Sequence, residues 1–139
     1  MRKRTKSREI AIQALYQLEI RSYGDYDELG IFFLQQTFDS NIVDFAKSLV
    51  DGCRKQKKEI EEKIVSISEH WDLHRMAIID RSILRLCVYE LLYRNDIPPK
   101  VSINEAIDLA KKFSTEKSGQ FVNGVLDKIY LQAKEKRHE

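Results

Sequence analysis

The sequence predicts a compact all-α bundle of six or seven helices, and three observations carry that prediction. Apolar residues recur at i, i+3 and i+4 through nearly the whole chain. No stretch alternates apolar and polar residues for long enough to make a strand. The 139 residues hold five glycines and two prolines, with 42% hydrophobic and 33% charged residues. That is a helix-friendly, folded composition, and the length suits one domain with its own core. No internal repeat or low-complexity linker divides it, so residues 1–139 are expected to form a single domain opened by a basic arm over residues 1–8.

The first helix is expected from about Ser7 to Ser22, on the stripe Ile10, Ala11, Ala14, Leu15 and Leu18, with Gly24 as its stop. A short second helix fits Asp27 to Phe38. A third begins after Ser40 and Asn41, with Ile42, Phe45, Ala46, Leu49, Val50 and Cys53 on one face. The pattern lapses at "RKQKKE" and resumes at Ile60, Ile64 and Ile67, so residues 41 to 69 fit one bent helix or two. Asp72 has the character of an N-cap for the central helix, "MAIIDRSILRLCVYELLY". The apolar arc of that helix is wide enough to need neighbours on several sides. "NDIPPK" ends it, because proline cannot continue a helix and biases its predecessor away from helical angles. "SINE" (Ser102 to Glu105) has the hydroxyl and carboxylate of a capping box and is expected to open the next helix. Ile103, Ala106, Ile107, Ala110 and Phe113 then face inward. "STEKSG" interrupts the pattern. The last helix is expected from about Gly119 to Ala133, burying Val122, Val125, Leu126, Ile129 and Ala133.

Several function classes recede. No apolar run approaches the roughly 20 residues of a membrane span, and no apolar segment follows the basic start as in a secretory signal. A cytoplasmic protein is expected. Cys53 and Cys87 sit in apolar patterns and are expected to be buried thiols, not a disulfide. His70 and His74 have the spacing of a helical metal pair. If Asp72 caps the central helix, however, His70 precedes that helix and the pair does not share a face. No glycine-rich loop cradles phosphate, and no nucleophile has a base that the sequence can locate. The acids lie beside Lys and Arg on solvated faces. Neither an enzyme nor a cofactor is expected. The opening methionine and the charged end "KEKRHE" favour a whole protein over a fragment.

Binding is the class that remains. Arg2, Lys3, Arg4, Lys6 and Arg8 stand in the first eight residues with no acid among them, leaving −3 for the rest of a chain whose net charge is +2. Such a segment either meets a polyanion at one place or is a solvated tail. Tyr16 and Ile20 fall opposite the core side of the first helix, facing either a partner protein or another helix of the bundle. Phe121 falls at the edge of the last helix's stripe, near its start and beside Lys117. An aromatic ring next to free helix amides and a cation suits single-stranded nucleic acid; it also suits a boundary core residue. Asp80 lies inside the central apolar arc, where a lone carboxylate is costly. The helix dipole, a pairing with Arg81 or Arg85, or a partner protein would each relieve it.

"AIQALYQLE", "IDRSILRLCVYELL" and "PPKVSINEAIDLAKKFSTEKSGQFVNGVLDKI" together resemble the NusB family of bacterial transcription antitermination factors. The resemblance spans nearly the whole chain and is most specific from Met76 to Ile129. It implies two packed helical subdomains and a non-enzymatic function. It implies pairing with the ribosomal protein NusE, binding of single-stranded boxA RNA in ribosomal RNA transcripts, and loading of an antitermination complex on RNA polymerase. By position it assigns RNA contact to Arg2, Lys3, Arg4, Lys6, Arg8, Lys117, Gln120 and Phe121, and NusE contact to Tyr16 and Asp80. Two positions depart from the family pattern: Lys117 stands where relatives often carry an acid, and Asp80 where a longer glutamate occurs. On this reading the first helix aims its cations beside the start of the last helix. If all five touched phosphate, the log–log salt slope would be about −3.5. The rivals are the related N-terminal domain of ribosomal RNA cytosine methyltransferases, and a protein-only scaffold or homodimer with an incidental basic tail.

Overall fold

The computed structural model describes residues 2–21, 28–67 and 76–137. Seven helices make it up: α1 Lys3–Ile20, α2 Glu28–Leu34, α3 Ser40–Lys55, α4 Lys57–Ile67, α5 Ile78–Tyr93, α6 Pro99–Phe113 and α7 Glu116–Arg137. No strand occurs among the described residues. Gly24 and Asp27, with the expected end of the first helix and start of the second, lie outside them. So do His70, Asp72 and His74.

α5 is the hub. It packs against α1, α3, α4, α6 and α7, while the closest pairings are α1 with α3 and α6 with α7. The bundle is thus two helical groups joined across α5. The wide apolar arc finds its physical reason here, since Ile83, Leu84, Leu86, Cys87 and Val88 all meet neighbours and are buried. The expected stripes of α1, α3, α4 and α7 are buried with them, except that Ile42, Phe45 and Ala133 are only half-buried. No helix among the described residues is long and apolar enough to cross a membrane. Cys53 and Cys87 are buried free thiols, and burial pushes the pKa of each up.

Helix boundaries hold the corrections. α1 starts at Lys3, a turn earlier than expected, so the basic run is itself helix. Residues 40–67 form two helices that meet at Gln56, which bonds back to Gly52 and forward to Ile60 at 3.0 Å each. α5 is preceded by Ala77, which gives no side-chain cap. α6 starts at Pro99, not at Ser102. A proline at the first helical position has its φ pre-set and lacks only an N–H that would be unpaired anyway. Ser102 and Glu105 therefore lie inside α6, at 2% and 6% exposure, and form no capping box. Thr115 caps α7, its hydroxyl accepting from the Ser118 N–H at 3.0 Å.

Ser102 and Glu105 serve tertiary contacts instead. The Ser102 hydroxyl donates to Glu90 Oε1 at 2.9 Å. That carboxylate also takes the Arg8 guanidinium, with Nη2 at 2.7 Å and Nε at 3.0 Å. Burial by itself would lower the Arg8 pKa, but the hydrogen bond and charge of Glu90 outweigh it and raise it. A second network ties α1, α4 and α5: Glu19 holds Arg81 at 3.3 Å and Arg85 at 2.9 Å, and Arg85 reaches Glu61 at 2.6 Å.

Candidate nucleic-acid interface

Once α1 begins at Lys3, its helical period sorts the cations. Arg8 shares a stripe with Ala11, Leu15 and Leu18, at successive steps of three and four residues. It points inward and is 2% exposed, with its guanidinium on Glu90. It has no face for phosphate, so the cationic surface holds four of the five expected residues. The signal was present in the sequence: the α1 stripe, carried back one turn, lands on Arg8.

The other four lie at or near the surface. The Arg2 side chain is 84% exposed and reaches Glu105 at 3.2 Å, where Thr5 also donates at 2.9 Å. The Lys3 side chain is 64% exposed and reaches Asp39 at 2.9 Å. This hydrogen bond holds the Asp39 carboxyl below its usual range. The Arg4 guanidinium lies over the Phe45 ring, 4.5 Å from its centroid, a cation–π contact that fixes its direction. Lys6, on the next turn, is half-buried. Two carboxylates thus compete with any phosphate for Arg2 and Lys3. Asp39→Asn isolates one of them, because asparagine caps α3 as well as aspartate does. The variant is expected to bind single-stranded RNA more tightly, because Lys3 no longer has to leave a carboxylate to meet phosphate, read by titration at several salt concentrations.

α1 and α6 run side by side in the same direction. Arg2 meets Glu105 and Glu9 meets Lys112, the second pair at 2.5 Å and seven residues further along both helices. The start of α7 lies beyond the far end of α6. From Glu105 to Phe113 the helix advances about 12 Å, so the cations emerge beside the middle of α6 and not beside the start of α7. Lys111 and Lys112, exposed on the last turn of α6, occupy the interval. Sequence reasoning missed both, although "AKKF" places them off the core stripe. A Cβ on Gly119 would come within 2.9 Å of Lys111 Cγ, so that glycine lets the first turn of α7 close on α6 and brings Lys111 to it.

At the start of α7, Lys117 and Gln120 are exposed and Phe121 is half-buried against the core. Ser118 links this turn to α5 by donating to Asp80 Oδ2 at 3.0 Å. Asp80 lies in the first turn of α5, where the dipole favours it. Arg81 and Arg85 pair with Glu19, and Arg85 also with Glu61, not with Asp80. Asp80 Oδ1 is buried without a protein partner. Tyr16 and Ile20 remain 39% and 56% exposed on α1. The Glu19–Arg81 pair brings the last turn of α1 to the start of α5, so Tyr16, Ile20, Asp80 and the start of α7 share one end of the bundle. The N-terminal cations occupy the other.

Comparison with known proteins gives the family and the fold. The family model described as NusB matches residues 5–131. The transcription antitermination protein NusB of Anaeromyxobacter dehalogenans is 47% identical over 128 residues, 91% of this chain and 89% of the relative. That of Syntrophus aciditrophicus is 39% identical, across 100% of this chain and 86% of the relative. Among solved structures, T. maritima NusB superposes with a TM-score of 0.84 at 38% identity, over 91% of this chain and 89% of that one. A crystal structure of the antitermination factors NusB and NusE in complex with dsRNA gives a TM-score of 0.83 at 31% identity, over 95% of this chain and 98% of the matched one. The chain belongs to the NusB family of transcription antitermination proteins.

Proposed function

We propose that this chain, paired with the ribosomal protein NusE, binds single-stranded boxA RNA in ribosomal RNA transcripts and helps to load an antitermination complex on RNA polymerase. The observation that carries this reading is the succession of surface cations along one side of the bundle, interleaved with Glu105 and Glu9. It runs from Arg2, Lys3, Arg4 and Lys6 on α1, past Lys111 and Lys112 on α6, to Lys117 and Phe121 on α7. Phosphates would meet the cations, and an unpaired base would stack on Phe121. The matched complex of NusB with NusE and dsRNA supports both partner classes. The stacking ring favours an unpaired strand over a duplex. Tyr16 and Asp80, at the α7 end of the bundle, would face NusE, leaving the α1 cations to RNA. The homodimer is the competing occupant of the Tyr16 face.

The test is fluorescence anisotropy with a labelled boxA-like single strand, a scrambled strand and a duplex. Each is titrated with the chain alone and premixed with NusE, at several salt concentrations. The expected result is preference for boxA that tightens with NusE. The salt slope should lie between about −2.8, from Arg2, Lys3, Arg4 and Lys6 alone, and about −4.9, with Lys111, Lys112 and Lys117 added, at about −0.7 per contact, because Arg8 does not take part. Weak, salt-sensitive binding that is equal for all three RNAs and indifferent to NusE would leave only a basic face on a helical bundle.

A further inference from the structure

Phe38 stands entirely in solvent, at 105% of its reference exposure, in the bend between α2 and α3. A single exposed ring is ordinary; this one is distinguished by how firmly its backbone is held and by what lies beside it. The next residue, Asp39, accepts from the Asn41 N–H at 3.0 Å and donates its own N–H to Thr37 Oγ1 at 3.2 Å. Its other carboxylate oxygen holds Lys3 at 2.9 Å. The Ser7 hydroxyl donates to the Ile42 carbonyl at 2.8 Å and locks the start of α3 onto α1. The ring is thus carried on a fixed turn directly beside the cationic end of α1.

The first turn of α1 has Glu105 of α6 on one flank, through Arg2, and Asp39 on the other, through Lys3. A strand that follows the cations from α7 across α6 and over α1 arrives at Phe38. An uncovered ring beside cations is the pairing that single-stranded nucleic acid uses, stacking on the ring and phosphate on the charges. We propose that Phe38 is a second base-stacking residue, taking an unpaired base of the same RNA strand at the end of the strip opposite Phe121. The proposal rests on the RNA-binding reading above. The cations of the first turn of α1, to which Lys3 ties this bend through Asp39, favour RNA as its occupant over an apolar protein surface. A protein surface would also use Leu34, which is 75% exposed one turn earlier.

The experiment uses the full chain premixed with NusE and a labelled boxA-like single strand, with Phe38→Ala, Phe38→Trp, Leu34→Ala and Phe121→Ala compared by anisotropy. Because the Phe38 side chain touches no core, its variants are expected to fold as the parent does, checked by circular dichroism. Phe38→Ala is expected to weaken RNA binding about five-fold or more. Phe38→Trp should restore binding, with its emission quenched on RNA addition, and Leu34→Ala should have no effect. Unchanged RNA affinity in Phe38→Ala, while Phe121→Ala is weakened, would overturn the proposal and leave the RNA-binding reading intact. Equal losses in Phe38→Ala and Leu34→Ala, or a loss of NusE affinity alone, would overturn it in favour of a protein contact. Failure of the parent protein to bind any single strand would remove both readings together.

Discussion

Glu90→Ala is expected to destabilise the fold by about 3–5 kcal/mol, the typical loss when one member of a buried ion pair is removed. The variant strands the Arg8 guanidinium, 2% exposed, and deprives the Ser102 hydroxyl of its acceptor. A guanidinium cannot relieve the strain by losing its proton. Arg8→Met leaves the Glu90 carboxylate with the Ser102 hydroxyl as a remaining donor, so it is the milder variant. Urea denaturation of both variants beside the parent reads the difference. Replacing all three groups by apolar residues (Arg8→Met, Glu90→Leu, Ser102→Ala) should restore most of the loss, since a packed apolar triad often matches a buried ion pair. Where Arg8→Met stays folded, its salt slope for RNA should equal the parent's. A shallower slope would return Arg8 to the phosphate-binding set.

Phe121→Ala is expected to weaken boxA binding by about 1–3 kcal/mol. The half-buried ring also packs against the core, so alanine brings some loss of stability as well. Phe121→Leu separates the two roles: it keeps most of the apolar contact and removes the π-face. Under the stacking reading, leucine recovers stability without recovering RNA affinity. A leucine variant that binds RNA as the parent does would make Phe121 a boundary core residue and nothing more. Both variants are read by anisotropy beside a thermal melt, so that loss of fold is not mistaken for loss of stacking.

Much of the fold was legible because burial imposes a period. The stripes of α1, α3, α4 and α7 survive because a helix facing a core on one side must repeat its apolar residues every three or four positions. The all-α class and the central place of "IDRSILRLCVYELL" needed only that rule. Boundaries were less legible, since they depend on a few end groups. "SINE" has the residues of a capping box, yet Pro98 and Pro99 open the helix first and leave Ser102 and Glu105 to face Glu90, Thr5 and Arg2.

What the sequence by itself determined is the helical class, the face each helix buries, the local concentration of positive charge and the family. Those follow from periodicity, composition and motif, which are properties of neighbours along the chain. The helical period pointed Arg8 inward, but the tertiary structure decided which of those charges are paired and which meet solvent. Arg8 and Arg4 are one helical turn apart, yet Arg8 lies in the core and Arg4 lies exposed on Phe45. The difference is Glu90, contributed by α5 from 82 residues away. Likewise Lys3 is answered by Asp39, Asp80 by Ser118, and α1 lies parallel to α6, so that Lys111 and Lys112 join the strip. Each is a pairing between elements remote in sequence. The energy of a buried or half-buried charge is set by the partner that the packing brings within 3 Å or so, and no local pattern names that partner.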